Sequence, residues 1–246
     1  MNPIVVIPAR MASTRLPGKP LADIAGVPMI VRVADQAKKA DVGPVVVAAA
    51  EHEIVKAMED AGHRAVLTDP KLPSGTDRVH AALEAVDRAY KHDVVVNLQG
   101  DLPALDPAYV RAVAELLAPS GADIATLAAE IDDEKDYDNP NVVKPVVVWD
   151  VTGQRGRALY FTRARAPWGD GPLFHHVGIY AFRREVLSRF VKLDPSPLER
   201  REKLEQLRAL EAGMSIAIAR VDSVPLSVDT EADLEKARKL LAQGNR

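Results

Sequence analysis

Three cationic side chains lie close together near the start of the sequence. Arg10, Arg15 and Lys19 fall within a stretch of ten residues. Ser13, Thr14, Pro17 and Gly18 lie between them, and Pro8 and Pro20 flank the stretch. Arginine and lysine bind phosphate oxygens, and small residues let backbone N–H groups approach an anion. The segment therefore predicts a site for a triphosphate. A solvated basic loop before a helix is the alternative.

The cationic segment differs from the two common nucleotide-binding loops. A Walker A loop needs Gly-Lys followed by Ser or Thr, whereas Gly18 and Lys19 are followed by Pro20. No Gly-x-Gly-x-x-Gly pattern follows the first predicted strand, which disfavours a dinucleotide site. The sequence thus predicts that the phosphates are bound by a different kind of loop.

Two aspartates are candidate metal ligands. Asp101 follows Gln99 and Gly100 after a valine-rich run, and Asp229 precedes the last predicted helix. A carboxylate beside a triphosphate is repelled unless a cation lies between them, and Mg²⁺ is commonly held by carboxylates together with substrate phosphates. We therefore predict Mg²⁺ at Asp101, with Asp229 as the second ligand. From its position alone, Asp229 is more typical of the N-cap of the helix that follows.

A helix start carries a third group of polar residues. Ser74 or Thr76 can cap the helix, and the N–H groups of its first turn can meet an anion or a base edge. The segment also contains Asp77 and Arg78. Capped helix starts are common, so this motif is weak on its own.

Strand-like and helix-like segments alternate in the first hundred residues. Runs rich in β-branched residues predict strands at 4–7, 45–48, 65–67 and 94–96, and helical spacing predicts helices at 29–40, 53–61 and 76–90. Strands that are apolar on both faces indicate a parallel sheet covered by helices. Loops at the carboxyl ends of such strands are where these sheets bind ligands. We therefore predict an α/β, Rossmann-like fold with the cationic segment at the site.

The remainder of the chain has a less regular pattern. Strands are predicted at 124–129, 142–149, 157–161 and 177–182, and helices at 197–212 and 231–242. We interpret the chain as a single domain, 1–246, with a smaller β-rich lobe at about 140–195. The lobe could hold the second substrate or a dimer contact. The charged run at 199–203 is interpreted as mutually compensating charges on a helix surface.

Composition excludes several classes of protein. The 246 residues are 47% hydrophobic with a formal net charge of −3, which disfavours a general nucleic-acid binder. There is no cysteine, so disulfides and zinc–thiolate sites are excluded. No apolar run reaches the roughly 20 residues that span a bilayer, and the first residues lack the form of a signal peptide. We expect a cytoplasmic protein without a membrane anchor.

The motifs together resemble the 3-deoxy-manno-octulosonate (Kdo) cytidylyltransferases, or CMP-Kdo synthetases. The similarity covers nearly the whole chain, in the segments 8–20, 73–78, 97–103, 158–163, 176–180, 195–199 and 204–208. The related CMP-sialic acid synthetases share the Arg-rich opening but not the Ser-Pro-Leu-Glu and Leu-Glu-Gln-Leu-Arg pair. The resemblance implies a nucleotide-diphospho-sugar transferase fold, a homodimer, and Kdo activation by CTP and Mg²⁺ for lipopolysaccharide biosynthesis.

The resemblance also implies roles for particular residues. Those for the CTP phosphates are Arg10, Ser13, Arg15 and Lys19, and those around the rest of the nucleotide are Pro73, Ser74, Gly75, Arg78 and Gln99. Those for Mg²⁺ are Asp101 and Asp229, which with Arg10 and Lys19 form the catalytic set. Those for Kdo are Gln99, Arg163, His176, Tyr180, Glu205 and Gln206. Without the resemblance, His176 is more typical of a packed residue and Glu205 of a solvated helix face.

Two positions depart from the family pattern. Many members have Glu after Gln-Gly-Asp, where this chain has Leu102. Many also have Ala-Thr-Asp after the second long strand, where this chain has Ala49, Ala50 and Glu51. The second change keeps an acid but removes a hydroxyl.

The implied reaction is attack of the Kdo anomeric hydroxyl on the α-phosphorus of CTP. Positioning and charge neutralisation would supply most of the catalysis. One alternative is a cytidylyltransferase for another acid sugar, such as 8-amino Kdo or sialic acid. Another is a non-catalytic nucleotide-binding regulator, which the presence of Lys19, Asp101 and Asp229 disfavours.

Overall fold

A computed structural model describes residues 1–13 and 15–243. Thr14, which belongs to the cationic segment, lies outside the described residues, as do residues 244–246. The strands are β1 Pro3–Ala9, β2 Asp23–Ile24, β3 Val27–Pro28, β4 Val45–Ala49, β5 Ala65–Leu67, β6 Val94–Asn97, β7 Ile124–Glu130, β8 Lys144–Trp149, β9 Arg155–Thr162, β10 Phe174–Arg183 and β11 Ile216–Val221. The helices are α1 Met29–Lys39, α2 His52–Asp60, α3 Gly75–Val86, α4 Pro107–Ser120, α5 Arg184–Phe190, α6 Pro197–Glu202, α7 Gln206–Glu211 and α8 Glu231–Gln243.

The chain divides into two compact units, which are described separately. Unit 1 comprises Met1–Arg111 and Pro225–Arg246, and unit 2 comprises Ala112–Val224. The predicted lobe at about 140–195 falls within the range of unit 2. That this lobe is a separate dimerisation element of a single domain stays a prediction.

Unit 1 contains a parallel sheet with the strand order β5-β4-β1-β6. In β1 the residues Val5, Val6 and Ile7 are fully buried, because β-branched side chains fill both faces of a strand that is covered on both sides. Helices α1, α2 and α3 follow β3, β4 and β5 and pack on these strands. The predicted α/β class, with a parallel sheet flanked by helices, is confirmed.

Local residues set one end of each of two helices. Gly62, at φ 74°, follows α2, and its N–H donates to the carbonyl of Glu59. Glycine adopts this left-handed conformation without a steric penalty. Ser74 is the N-cap of α3 and accepts a hydrogen bond from the Asp77 N–H at 3.1 Å. The cap fixes where α3 starts, and so places the polar segment that precedes it.

Unit 2 is rich in antiparallel strands with the order β10-β7-β11-β9-β8. Only the β7–β11 pair is parallel among the pairs described within this unit. The hydroxyl of Thr126 on β7 is completely buried, and Phe161 on β9 is also fully buried. The observed strands agree with the β-rich character that the sequence predicts for this region.

The prediction of one helix at 197–212 was wrong. The structure has two short helices, α6 and α7, separated at Lys203, whose φ of 56° is left-handed. A left-handed residue ends an α-helix, and no periodicity in the sequence marks this position. The break turns Glu205 and Gln206 into the start of a new helix.

Four elements were not predicted, namely α4, α5, β11 and the β2–β3 hairpin. A signal for α4 was available, because Asp106 and Pro107 precede apolar residues at helical spacing. Among the described residues, no helix is both long enough and apolar enough to cross a membrane.

Candidate active site

A cavity of about 400 Å³ lies in unit 1 beside the carboxyl ends of β1 and β6. The predicted nucleotide-binding residues that line it are Arg10, Ser13, Arg15, Lys19, Ser74, Gly75, Arg78 and Gln99, together with the predicted metal ligand Asp101. Three sequence motifs that are far apart along the chain therefore meet at one place. Pro73 is exposed and is not among the described residues that line the cavity.

The cationic segment is held in shape by its own hydrogen bonds. The Leu16 N–H donates to Ser13 Oγ at 3.3 Å, and the Gly18 N–H donates to the Met11 carbonyl at 3.3 Å. Gly18 has a φ of 70°, and a short 3₁₀ helix, Lys19–Leu21, follows it. Leu16 is buried in a core cluster. This buried leucine anchors the middle of the loop, while the cations on either side of it line the cavity.

Gly100 allows the chain after β6 to pass close to β1. A Cβ atom at this position would lie 2.9 Å from the Pro8 carbonyl oxygen and 3.2 Å from the Ile30 Cδ1 atom. Both approaches are tighter than ordinary packing distances, so a larger residue would push the two segments apart. The glycine thereby brings Asp101 beside the cationic segment.

Lys19 joins the two predicted metal ligands. Its Nζ atom is 2.9 Å from Asp101 Oδ2 and 3.1 Å from Asp229 Oδ1, and Arg15 Nη2 is 3.2 Å from the same Asp229 oxygen. Burial alone would lower the pKa of Lys19, but the two carboxylates together raise it. Burial raises the pKa of Asp101, and the attraction of Lys19 opposes that rise.

Asp229 is not the N-cap of α8. Thr230 fills that role, since its Oγ1 accepts from the Asp233 N–H at 3.3 Å and its own N–H donates to Asp233 Oδ2 at 3.1 Å. The carboxylate of Asp229 is instead directed to Lys19 and Arg15. The structure thus excludes the N-cap interpretation and places this carboxylate on the same lysine as Asp101. That Asp229 is a metal ligand stays a prediction.

The donor set fits Mg²⁺. Two carboxylates from distant parts of the chain, Asp101 and Asp229, converge on a single cationic nitrogen. Magnesium prefers oxygen ligands and is commonly held by one or two carboxylates plus substrate phosphates. No group of three or more His, Cys, Asp or Glu side chains suited to a metal occurs within residues 1–13 and 15–243. Asp101 and Asp229 would hold the ion, and substrate phosphates would have to supply further ligands.

Two of the three arginines that line the cavity, Arg10 and Arg78, differ in burial and in hydrogen bonding. Arg78 is 2% exposed, and its Nη1 atom donates to Thr68 Oγ1 at 2.6 Å and to the Asp69 carbonyl at 3.1 Å. Burial lowers its pKa. Arg10 is exposed and makes no hydrogen bond or ion pair with the described residues. Arg78 is therefore a fixed wall of the cavity, whereas Arg10 is a cation available to an anion.

His176 in unit 2 is held as a neutral ring. Its Nε2 atom is 2.9 Å from Thr126 Oγ1, and that hydroxyl is 2.8 Å from the Ile179 carbonyl oxygen. Because the hydroxyl has one proton, which it donates to a carbonyl, the histidine must donate from Nε2. Burial lowers the pKa of His176 to about 3, and His175 contributes to the decrease. His176 therefore offers an uncharged Nδ1 acceptor at neutral pH.

Tyr180 and the start of α7 form the next part of this set. The rings of His176 and Tyr180 have centroids 5.4 Å apart. Burial raises the pKa of Tyr180, and the charge of Glu205 raises it further. Gln206 is buried. The structure therefore brings His176 and Tyr180 of β10 together and places Glu205 near Tyr180.

Arg163 is anchored by backbone carbonyls. Its Nε donates to the Glu202 carbonyl at 2.8 Å, Nη1 to the Pro140 carbonyl at 2.8 Å and Nη2 to the Lys203 carbonyl at 3.4 Å. Three of the five N–H groups of its guanidinium are thus used within the described residues. Arg163 links the end of β9 to the chain between α6 and α7.

Two glutamates of the charged run have specific structural roles. Glu202 accepts hydrogen bonds from Thr162 Oγ1 at 2.8 Å and the Arg163 N–H at 2.9 Å. Glu199 binds Arg208 across the break between α6 and α7, at 2.6 Å and 2.7 Å. The prediction of a mutually compensating surface run was wrong for these two residues. Sequence spacing gave no signal for partners on other elements.

The chain is similar to cytidylyltransferases over most of its length. The chain matches the family model described as cytidylyltransferase over residues 4–216. It is 65% identical over 242 residues to a 3-deoxy-manno-octulosonate cytidylyltransferase of Parvibaculum lavamentivorans, which covers 98% of this chain and 93% of that protein. A protein of the same name from Rhodospirillum centenum is 65% identical over 240 residues, with the same coverage. The chain belongs to the 3-deoxy-manno-octulosonate cytidylyltransferase family.

Solved structures support the same fold. The structure of CMP:2-keto-3-deoxy-manno-octonic acid synthetase complexed with CTP has a TM-score of 0.91 and 37% identity, over 99% of this chain and all of that one. A cytidylyltransferase from Leptospira borgpetersenii has a TM-score of 0.63 at 16% identity, over 99% of this chain and 87% of that one. The second similarity concerns the fold alone.

Proposed function

We propose that this protein transfers the cytidylyl group of CTP to the anomeric hydroxyl of Kdo and releases diphosphate. One observation carries the proposal: the cations of the 8–20 segment and the carboxylate of Asp101 line one cavity, with Asp229 bound to the same lysine as Asp101. Relatives of at least 57% identity over nearly the whole chain bear the corresponding name. The product would serve lipopolysaccharide biosynthesis.

The cationic segment would bind the triphosphate. Arg10 is free to meet phosphate oxygens, and Lys19 and Arg15 lie beside it along the same cavity. Ser13 lines the cavity and stabilises the loop through its hydrogen bond with Leu16. These cations would neutralise the charge that grows on the leaving diphosphate, which is the main catalytic task in phosphoryl and nucleotidyl transfer.

Asp101 and Asp229 would hold Mg²⁺. When bound, the ion supplies charge neutralisation at the α-phosphate and lowers the pKa of a neighbouring hydroxyl. The two aspartates would orient it, while Arg15 and Lys19 keep the carboxylates in place. The negative charge of the two aspartates would be tolerated close to a triphosphate because the bound ion would neutralise it.

Two further sets of residues would bind the rest of CTP and the Kdo molecule. Ser74, Gly75 and Arg78, with Pro73 before them, would surround the base and ribose, and Gln99 would contact both substrates. Two N–H groups of Arg163 would meet the Kdo carboxylate. His176, Tyr180, Glu205 and Gln206 would bind its hydroxyls, with His176 accepting at Nδ1.

The reaction would be a single in-line displacement. A new bond forms between the anomeric oxygen of Kdo and the α-phosphorus, and the bond from that phosphorus to the α,β-bridging oxygen breaks. The hydroxyl proton passes to the carboxylate of Kdo itself or to water. No side chain of the cavity is assigned the role of a dedicated base, so catalysis depends on positioning and charge.

Substrate identity can be tested with one assay. The purified protein is incubated with Mg²⁺, each of the four nucleoside triphosphates and either Kdo, 8-amino Kdo or sialic acid, and diphosphate is measured. We expect release only with CTP and most rapidly with Kdo. Faster diphosphate release with another acid sugar would identify that sugar, and not Kdo, as the substrate. No release in any combination would support a non-catalytic nucleotide-binding regulator.

We also propose that the enzyme acts in the cytoplasm as a homodimer. The absence of cysteine is compatible with a reducing compartment. Fractionation of cells and light scattering of the purified protein would test the two proposals. Recovery outside the cytoplasmic fraction, or the mass of a monomer, would contradict them.

A further inference from the structure

Glu51 connects the start of α2 to the cationic segment. It precedes α2 as the N-cap residue, yet its side chain makes no capping hydrogen bond with that helix. Its Oε2 atom instead accepts a hydrogen bond from the backbone N–H of Met11 at 2.9 Å. The carboxylate thus reaches from the end of β4 to the cationic segment after β1.

A second hydrogen bond joins the same two segments. The Ala50 N–H donates to the Ala9 carbonyl at 2.9 Å. The residues on both sides of Arg10, namely Ala9 and Met11, are therefore tied to consecutive residues of the chain after β4. Arg10 makes no hydrogen bond or ion pair with the described residues, so these two bonds fix the backbone of the segment that carries it.

We propose that Glu51 is a positioning residue for the triphosphate, acting through its hydrogen bond to the Met11 N–H. The proposal rests on the function proposed above. It explains how a carboxylate is useful near an anion site, where its charge alone would weaken phosphate binding. It also gives a role to the acid that this chain keeps where many relatives have Ala-Thr-Asp.

A competing account is that the charge of Glu51 matters because it supports Arg78. The carboxylate opposes the decrease in the Arg78 pKa that burial causes. The two accounts predict different results for a variant that keeps the acceptor oxygen but loses the charge. Glu51→Gln is such a variant, and Glu51→Ala loses both.

The test is steady-state kinetics of diphosphate release for Glu51→Ala, Glu51→Gln and the control Glu53→Ala. Glu53 is an exposed acid in the first turn of the same helix. Loss of one hydrogen bond corresponds to about a tenfold change. We expect Glu51→Ala to raise the KM for CTP about tenfold, with kcat and the KM for Kdo within about twofold of wild type. Glu51→Gln and Glu53→Ala should keep the wild-type KM for CTP.

Two results would overturn the proposal. An unchanged KM for CTP in Glu51→Ala would show that the hydrogen bond does not position the triphosphate. A tenfold rise in Glu51→Gln would assign the effect to charge. Circular dichroism checks the fold of each variant. If Glu51→Ala does not fold, Glu51→Ser replaces it, because serine can cap α2 but is too short to reach the Met11 N–H. An inactive wild-type protein would instead reject the proposed function itself.

Discussion

The predicted CTP residues of unit 1 and the predicted Kdo residues of unit 2 differ in how the protein satisfies their charges. In unit 1, Lys19 lies between two carboxylates and Arg10 makes no bond with the described residues. In unit 2, His176 is neutral and Arg163 is bound by three backbone carbonyls. Ion pairs therefore hold Lys19 in the first set, whereas hydrogen bonds to neighbouring groups hold Arg163 and His176 in the second.

This difference suits the two proposed ligands. A triphosphate carries several charges and needs cations whose positions can adjust to it. A sugar acid offers many hydroxyls and one carboxylate, so it is recognised by fixed donors and acceptors in a defined pattern. Changes to the metal and phosphate residues of unit 1 should therefore affect the chemical step or the KM for CTP, whereas changes to the sugar-acid residues of unit 2 should affect the KM for Kdo.

The largest effect is expected at Asp101. Asp101→Asn keeps the shape of the side chain but removes the charge that would hold Mg²⁺, so kcat should decrease about a thousandfold. Diphosphate release measures the rate, and circular dichroism should show an intact fold. Asp60→Asn, which changes an exposed carboxylate paired with Lys56, should leave the rate unchanged. Near-normal turnover of Asp101→Asn would reject the metal assignment.

A smaller and more selective effect is expected at Thr126. Thr126→Val keeps the volume but removes the hydroxyl that orients His176, so the KM for Kdo should rise about tenfold, the cost of one lost hydrogen bond. The KM for CTP should stay within about twofold. Thr126→Ser restores the hydroxyl and should restore the KM for Kdo. Equal increases in both KM values would contradict the division between the two sets.

How far the sequence predicts this arrangement depends on the kind of interaction. Runs of β-branched residues identified β1, β4 and β6 to within one or two residues, because burial on both faces of a strand selects such runs in the sequence. The break at Lys203 left no such trace, since a left-handed lysine is stabilised by contacts with other elements. Helical periodicity therefore predicted one helix where there are two.

Partners of the site residues were also only partly predictable. The motifs placed Lys19, Asp101 and Asp229 in one site, but the sequence could not decide between a cap and a ligand for Asp229. That choice depends on Thr230, whose side chain caps α8. The carbonyls around Arg163 were not predictable, because every residue has a carbonyl and its direction is set only by the fold.

The smallest effect concerns the stability of unit 2 in acid. Burial holds the pKa of His176 near 3, below its usual 6.5, so below pH 6.5 the unfolded chain binds a proton that the folded protein does not. This contribution to stability is present above pH 6.5 and is lost as the pH falls towards 3. Between pH 7 and pH 5, urea unfolding should show a loss of at most about 2 kcal/mol from this group. In His176→Gln the free energy of unfolding should decrease less between pH 7 and pH 5 than in wild type. An equal decrease in the variant would contradict the lowered pKa of His176.

The most direct test of the proposed reaction follows the phosphorus atoms of CTP. The protein is incubated with Mg²⁺, Kdo and CTP labelled with ³²P at either the α or the γ position, and the products are separated. We predict that the α label moves to the sugar acid and the γ label leaves as diphosphate. Transfer of the γ label to the sugar acid, or hydrolysis of CTP without a labelled sugar product, would contradict cytidylyl transfer.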